Sequence, residues 1–250
     1  MKLFIGVDDA GRGPIIGPML MAGTLITEKQ KSVLRKLGVK DSKQVLPAKR
    51  EELFEKIKEI VLSYEVIAVS PGEIDGRSET GLNLNKIEAM KSSEIINQLI
   101  KGIINLKTMA EKPEFVDIQK FIKERQEIEI EICVDCPSPN IPVWQIELEK
   151  HLEKFDNIKI IMRCEHKADV NHIACSAASI LAKVTRDREI EKIKAKIGID
   201  FGSGYPADPV TVEFLEKHAE KFKHDGIFRK TWGTWNDYVK KKEQKKLDNF

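Results

Sequence analysis

The 250-residue sequence contains no hydrophobic run close to the roughly 20 residues that a membrane-spanning helix needs. Its apolar start is soon interrupted by Asp8 and Asp9, which the hydrophobic core of a signal peptide does not carry. Four cysteines are too few for the disulfide scaffold of a small secreted domain. The sequence therefore predicts a cytoplasmic protein with reduced thiols and no membrane partner.

An excess of one charge is also missing, because 42 Lys and Arg residues face 40 Asp and Glu residues. The resulting net charge of +2 neither requires nor excludes a polyanionic partner. What is present is a globular composition, with 41% hydrophobic and 33% charged residues, which excludes a wholly disordered chain. A chain of this length buries well over half of its unfolded surface and folds without cross-links.

The hydrophobic pattern predicts strands alternating with helices, which is typical of a mixed α/β architecture. The predicted strands are 3–7, 19–26, 65–69, 128–134 and 158–162, and the predicted helices are 47–61, 84–104, 143–152, 173–193 and 210–222. The polar stretch 106–126 is predicted to be irregular or helical. The composition changes after the segment from Gly202 to Pro206, and we expect a main domain over 1–198 and a helical C-terminal subdomain with a tail over 199–250.

Four carboxylates each follow an apolar strand or precede a helix of small residues. They are Asp8, Asp9, Asp135 and Asp169. Hard divalent cations prefer oxygen ligands, so convergence of these side chains predicts a metal site that can also receive phosphate oxygens. The alternative is that each carboxylate forms a turn and that Asp169 caps a helix.

Gly11, Arg12 and Gly13 follow the first carboxylate pair, where backbone amides and a guanidinium can meet a phosphate or a sugar. A tight turn with a solvated arginine is the alternative interpretation. A set of nearby basic residues is predicted to form a solvated face rather than a phosphate site. The set is Lys43, Lys167, Lys183, Arg186 and Arg188.

Cys133 and Cys136 have the spacing of half a zinc site. The sequence has no second pair of this kind, and only Cys164 and His166 are available to complete the site. We therefore interpret the cysteines as buried strand thiols.

The sequence resembles archaeal-type ribonuclease HII over nearly its whole length. Four separated blocks carry the resemblance: Gly6 to Pro14 with Ile16 to Pro18, Asp41 to Lys43, His166 to Asp169 with Ser176 to Asp187, and Gly202 to Pro209. The first and third blocks are long and specific. The resemblance implies a ribonuclease H-like α/β fold, in which helices flank a mixed central sheet and a small helical subdomain follows.

The resemblance implies a metal-dependent endoribonuclease that cleaves the RNA strand of RNA/DNA hybrids. It also implies cleavage 5′ of single ribonucleotides embedded in duplex DNA, giving 3′-hydroxyl and 5′-phosphate ends. Two divalent ions, Mg²⁺ or Mn²⁺, would activate a water and stabilise the leaving oxygen. The catalytic and metal-binding residues carried over are Asp8, Asp9, Asp135 and Asp169.

The family's substrate-binding residues also have counterparts here. Gly11, Arg12 and Gly13 match the loop that recognises the 2′-hydroxyl, which is the group that distinguishes RNA from DNA. Tyr205 matches the tyrosine that stacks on the sugar at the RNA-to-DNA junction, and Lys43 belongs to the second block. Without the resemblance, Tyr205 would be read as a core or turn aromatic. Family members are usually monomers, so we expect a monomer.

Two features depart from the family pattern. Asp9 stands where the family usually has the longer glutamate, which predicts weaker metal binding or a changed choice between Mg²⁺ and Mn²⁺. The stretch 106–126 is longer than the family needs. Two alternatives stay open: a metal-impaired hybrid-binding module tethered to the sliding clamp, and another nuclease of this fold class such as a junction resolvase. The Gly11 to Gly13 loop and Tyr205 argue against a resolvase.

The C-terminal tail carries a separate signal. Gln244, Leu247 and Phe250 have the spacing of the short motif by which replication and repair enzymes dock on the sliding clamp. The surrounding lysines are typical of a solvated basic tail and would also attract nucleic acid. We predict a clamp-binding site at these three residues.

Overall fold

The structure is a computed structural model that describes residues 1–40, 45–105 and 114–247. Its strands are β1 (Lys2–Ala10), β2 (Met19–Thr27), β3 (Ser63–Val69), β4 (Ile128–Asp135) and β5 (Ile158–Glu165). Its helices are α1 (Glu28–Lys36), α2 (Pro47–Ile60), α3 (Pro71–Asp75), α4 (Arg77–Thr80), α5 (Leu84–Asn105), α6 (Glu114–Lys123), α7 (Ile141–Glu149), α8 (Ala168–Asn171), α9 (Ile173–Ile197), α10 (Pro209–Phe222) and α11 (Gly233–Leu247).

The five strands form one sheet in the order β3-β2-β1-β4-β5. β4 lies parallel to both of its neighbours, with Val7 of β1 opposite Val134 and with Glu165 of β5 opposite Asp135. Carboxyl ends of parallel strands meet at one edge of a sheet, the usual position of ligand sites in α/β folds. The predicted α/β architecture with a central sheet is confirmed.

Several helices begin at residues that satisfy their first free amides. Thr27 and Gln30 form a reciprocal capping box at the start of α1, and the Gln30 side chain also donates to the Ile60 carbonyl at 2.6 Å. Asp208 caps α10 through the Val210 amide. Each of these helices therefore starts where its sequence supplies a cap.

The described chain forms two compact units. The first unit comprises Met1–Ala10, Met21–Ile67 and Asn85–Val184, and the second comprises Gly11–Leu20, Ala68–Leu84 and Thr185–Phe250. Each unit therefore takes segments from distant parts of the sequence. The boundary between 198 and 199 stays a sequence-based prediction.

The core of the first unit contains much of the sheet and the first half of α9. Small residues on α9, among them Ala174, Ala177 and Ala178, are buried there. Small side chains let a helix approach a sheet closely. Gly6 shows how closely: a Cβ added there would lie 2.2 Å from the backbone of Ala174 and Cys175.

The core of the second unit is rich in aromatic residues. Phe214 stacks on Phe222 with ring centroids 5.9 Å apart, and Phe228 contacts Trp235 at 4.9 Å. Such pairs add to the stability that burial alone provides. The lysine-rich end, predicted as a basic tail, is helical through Leu247 in α11, and Trp235 anchors that helix in the core.

None of the helices in the described ranges is long and apolar enough to cross a bilayer.

Candidate active site

Three of the predicted carboxylates lie at the carboxyl ends of neighbouring strands in the first unit. Asp8 and Asp9 are near the end of β1, and Asp135 is the last residue of β4. Val7 pairs with Val134 in the parallel β1–β4 ladder. The residues that follow them, Asp8 and Asp135, therefore lie side by side on neighbouring strands. The Asp9 amide donates to Asp8 Oδ1 at 2.7 Å, which orients the Asp8 carboxylate.

Asp169 is placed by a different element, the short helix α8. Its neighbour Ala168 donates its backbone amide to Asp135 Oδ1 at 2.9 Å, so the start of α8 is bonded to the end of β4. The Ser176 hydroxyl donates to the Asp169 carbonyl at 2.6 Å, which links α8 to α9. Asp169 is buried, and its bonded neighbours set its position beside the strand ends.

Close packing of α9 on β1 supports this arrangement. Gly6 has no space for a side chain against the α9 backbone, and Thr24 donates its hydroxyl to the Ala174 carbonyl at 2.9 Å. The segment that carries Asp169 is therefore fixed against the strand that carries Asp8.

The electrostatics of this cluster favour a bound cation. Burial raises the pKa of Asp8 well above its usual value, and the negative charges of Asp9 and Asp135 raise it further. Hydrogen bonds from the Ser179 hydroxyl and the Asp9 amide oppose the rise without cancelling it. Carboxylate oxygens are the ligands that Mg²⁺ and Mn²⁺ prefer, so the residues present fit a divalent ion.

The predicted loop Gly11 to Gly13 belongs to the second unit. Gly11 has a φ of +79°, and a Cβ there would lie 3.2 Å from both Arg186 Cγ and the Pro18 carbonyl oxygen. Gly13 is exposed, and a Cβ there would touch the Tyr205 ring at 3.5 Å. Gly11 is therefore favoured because its φ is positive and no side chain fits beside Arg186 and Pro18. Gly13 is favoured because it leaves the Tyr205 ring accessible to a ligand.

One buried arginine holds the carbonyl groups of this loop. Arg229 is fully buried and donates to the carbonyls of Gly11 at 2.6 Å, Arg12 at 2.8 Å and Gly17 at 2.9 Å. Burial lowers the pKa of Arg229 to about 10, and the charge of Arg186 adds to this effect. Trp232 Nε1 donates to the remaining carbonyl, that of Gly13, at 3.1 Å.

Arg186 and Tyr205 form a pair beside the loop. The Arg186 guanidinium lies 5.1 Å from the centre of the Tyr205 ring and donates to the Ser203 carbonyl. Arg186 is 8% exposed, and its buried Nε–H has no hydrogen-bond partner among the described residues. Tyr205 itself is 39% exposed, so one face of the ring is open to a ligand.

The structure describes some of the remaining predicted site residues and not others. Lys43 and Phe250 lie outside the described residues. Gln244 is exposed on α11, and for Leu247 only the backbone, at the end of that helix, is described. All four cysteines are free, and three of them are buried.

Sequence reasoning missed Arg229 and misjudged Arg186. The sequence predicts a solvated Arg186, and this prediction is wrong because the side chain is buried against Gly11 and Tyr205. Arg229 directly follows the apolar residues Ile227 and Phe228. This apolar context is the feature of the sequence that indicates a buried Arg229. Both arginines act through contacts between residues far apart in the chain.

Comparison with known proteins establishes the family. The family model described as Ribonuclease HII matches residues 5–121 and 110–235 of this chain. The chain belongs to the ribonuclease HII family. The predicted resemblance is confirmed, and the ribonuclease H-like fold with it.

Individual relatives match almost the full length of this ribonuclease HII chain. Ribonuclease HII of Methanococcus maripaludis is 41% identical over 98% of this chain and 91% of its own. The crystal structure of ribonuclease H2 from Pyrococcus horikoshii matches with a TM-score of 0.74 and 38% identity, over 96% of this chain and 98% of that one. The structure of a PCNA:RNase HII complex from Archaeoglobus fulgidus matches with a TM-score of 0.70 and 36% identity, over 92% and 95%.

Membership establishes the general activity. The protein is an endoribonuclease that degrades the RNA of RNA/DNA hybrids, and ribonucleases H depend on divalent metal ions.

Proposed function

We propose that this ribonuclease HII also cuts duplex DNA on the 5′ side of a single embedded ribonucleotide and leaves 3′-hydroxyl and 5′-phosphate ends. The observation that carries the proposal is the carboxylate cluster at the ends of β1 and β4, where burial and like charge oppose ionisation of Asp8. Such a cluster suits cation-assisted hydrolysis of a phosphodiester, in which no protein nucleophile is needed.

Asp8, Asp9, Asp135 and Asp169 are the proposed ligands of Mg²⁺ or Mn²⁺. A divalent ion bound there supplies an activated water and neutralises charge on the phosphate. The chain's own contribution is orientation: Asp8 is held by the Asp9 amide and Asp135 by the Ala168 amide. These bonds fix the carboxylates before substrate arrives, which lowers the cost of assembling the site.

Recognition of the ribonucleotide is assigned to Gly11, Arg12, Gly13 and Tyr205. Arg229 and Trp232 hold the loop carbonyls, so the loop conformation is set without substrate. Gly13 lets a sugar-phosphate backbone approach closely, and the open face of Tyr205 suits stacking on a sugar. A 2′-hydroxyl is both donor and acceptor, and it is the group that separates RNA from DNA at such a loop.

Arg186 is proposed to support binding of the substrate backbone. Its guanidinium is charged and buried, and Nε–H lacks a partner within the described chain. The guanidinium lies 5.1 Å from the centre of the Tyr205 ring and donates to the Ser203 carbonyl, so Arg186 supports the segment that carries Tyr205. We assign Arg186 the role of positioning Tyr205, on which a sugar of the substrate would stack.

The experiment is cleavage of end-labelled duplex DNA that carries one ribonucleotide, with Mg²⁺, Mn²⁺ or a chelator. We expect one metal-dependent cut 5′ of the ribonucleotide, no cut of an all-DNA duplex, and loss of cleavage in Asp8→Asn. Cleavage of a long hybrid without any cut at the single ribonucleotide would overturn the proposal while leaving the family activity intact. Full activity of Asp8→Asn would overturn the assigned site.

We also propose that Gln244, Leu247 and Phe250 dock on a sliding clamp. The support is the spacing of the three residues, the exposure of Gln244, and the relative from Archaeoglobus fulgidus whose structure was solved with PCNA. Deletion of residues 244–250 should abolish binding to the purified clamp and leave cleavage of a short duplex unchanged. Lys241→Ala is the matched control and should retain clamp binding. Equal clamp affinity in the deletion variant would refute this assignment.

A further inference from the structure

Three side chains of different chemistry, none of which is a proposed Asp ligand, meet in the first unit. They are Cys133 in β4, Glu165 at the end of β5 and His172 just after α8. One ligand atom from each lies within 4.8 Å of the others. His172 Nε2 is 3.0 Å from Glu165 Oε1.

The sheet register brings these residues together. β4 and β5 are parallel, with Asp135 opposite Glu165 and Cys133 opposite Arg163. Residues two apart on a strand face the same side, so Cys133 and Glu165 share one face of the sheet. His172 has extended backbone angles, and its amide donates to the Ala168 carbonyl at 2.8 Å, which fixes the start of α9 beside them.

Of the four residues that suggested a zinc site from the sequence, Cys133 belongs to this cluster and the other three do not. The Cys136 thiol is directed to the Ser138 carbonyl at 3.7 Å. His166 Nδ1 lies 2.8 Å from the Cys136 carbonyl oxygen. The Cys136 thiol is thus bonded elsewhere, whereas the Cys133 sulfur packs beside Cys175 and lies within 4.8 Å of a ligand atom of both Glu165 and His172.

The donor set differs in kind from the Asp cluster. A thiolate, an imidazole and a carboxylate together suit borderline or soft divalent ions such as Zn²⁺ and Co²⁺, and three protein ligands leave one position for water or another ligand. A deprotonated Cys133 and an ionised Glu165 carry two negative charges, which balance the ion. Binding releases the thiol proton to the solvent.

The surroundings allow an ion to enter. The Glu165 and His172 side chains are 35% and 26% exposed, whereas Cys133 is buried behind them. A cavity of about 60 Å³ borders Cys133 and His172 but not Glu165, and Lys31 and Arg35 also line it. These two basic side chains would repel a free cation, but not a cation whose charge is neutralised by Cys133 and Glu165. They also favour an anion, such as hydroxide, as the fourth ligand.

We propose that Cys133, Glu165 and His172 form a second metal site that binds a thiophilic divalent ion of the Zn²⁺ class. The site uses none of the four aspartates, although Cys133 and Glu165 share their face of the sheet with Asp135. It would bind its ion whether or not the enzyme cuts at single ribonucleotides.

The test is titration of the full-length, metal-free, reduced protein with Co²⁺, followed by displacement with Zn²⁺. A thiolate ligand gives a sulfur-to-cobalt charge-transfer absorption, which carboxylates do not give. We expect this band in the wild-type protein and in Asp8→Asn, and its loss on addition of Zn²⁺. Cys133→Ser should abolish the band. Cys136→Ser, which changes an equally buried thiol, should keep it.

His172→Gln changes a partly exposed side chain and tests the site without disturbing a buried thiol. We expect it to weaken Co²⁺ affinity by at least about tenfold, since even residues that only support metal ligands have effects of that size. Absence of the band in the wild-type protein, or its persistence in folded Cys133→Ser, would overturn the proposal. Unchanged affinity in His172→Gln would remove the histidine from the site and overturn the three-ligand assignment.

Discussion

Arg229 Nη2 lies 2.6 Å from the carbonyl oxygen of Gly11, and the two residues are 218 positions apart in the sequence. This bond is one of three by which a single buried guanidinium holds the loop from Gly11 to Gly17. A planar guanidinium presents donors in several fixed directions at once, whereas a lysine ammonium is a point charge. The conformation of the proposed recognition loop therefore depends on an arginine near the other end of the chain.

The first prediction concerns this bond. Arg229→Lys keeps the charge but leaves at least one loop carbonyl buried without a donor, at a cost of about 1 to 3 kcal/mol per carbonyl. We expect lower stability in urea and at least about tenfold lower kcat/KM on a duplex with one ribonucleotide. Lys230→Ala, at an exposed neighbour, is the control and should match the wild-type protein. Wild-type kcat/KM in Arg229→Lys would show that the loop needs no such support.

The second prediction separates backbone strain from crowding in the loop. Gly11 and Gly226 have positive φ angles of +79° and +72°, so alanine at either position costs about 1 to 2 kcal/mol. An added methyl group meets Arg186 and Pro18 at Gly11 but has no atom within 4 Å at Gly226. Gly11→Ala should therefore lose both stability and ribonucleotide cleavage, whereas Gly226→Ala should lose stability alone. The measurements are urea unfolding and cleavage rate, and equal cleavage by the two variants would contradict this distinction.

The third prediction follows from the raised pKa of Asp8. In a chelating buffer the folded state holds the Asp8 proton to a higher pH than the unfolded state, whose Asp pKa is about 3.9. Stability conferred by that proton is complete below about pH 4 and is lost as the pH rises through the folded pKa. Asp8→Asn removes the buried charge, so it should be more stable than the wild-type protein near neutral pH, by about 1 to 3 kcal/mol.

The matching measurement is urea unfolding of both proteins across this pH range, with and without Mg²⁺. The difference should vanish at acidic pH. Added Mg²⁺ should stabilise the wild-type protein, by about 2.7 kcal/mol at a hundred times its Kd, and stabilise Asp8→Asn far less. An Asp8→Asn protein that is less stable at every pH would refute the electrostatic account.

The fourth prediction tests the shorter acidic side chain at position 9. Asp9→Glu extends the carboxylate by one methylene, and ligand positions in metal sites are set to within about 0.2 Å. We expect a lower metal concentration for half-maximal activity and a changed ratio of Mg²⁺ to Mn²⁺ activity. Metal titrations of cleavage measure both, with Asp9→Asn as the variant that lacks a carboxylate. Identical titration curves for the wild-type protein and Asp9→Glu would show that the side-chain length is unimportant.

Local pattern was sufficient for many of the elements. Period-two alternation predicts 128–134, and the structure has β4 at Ile128–Asp135 with its carboxylate at the strand end. The apolar spacing of 84–104 likewise predicts α5. By contrast α1 was not predicted, although Thr27 and Gln30 cap its start, because its charged residues mask a narrow buried stripe at Gln30 and Leu34. The helical form of the lysine-rich end was also missed, since Trp235 anchors α11 in a core that only the folded chain creates.

The sequence by itself determined the α/β class and the family and predicted the four carboxylates, because strand periodicity and contiguous motifs are local properties. The tertiary structure decided which groups meet. It paired β1 with β4 in the register that places Asp135 beside Asp8, and it buried Arg229 beneath a loop more than 200 positions away. It also brought Cys133 close to Glu165 and His172, whereas the Cys136 thiol bonds to the Ser138 carbonyl. These relationships depend on strand order, register and close packing of α9, which come from contacts between distant segments rather than from any single stretch of sequence.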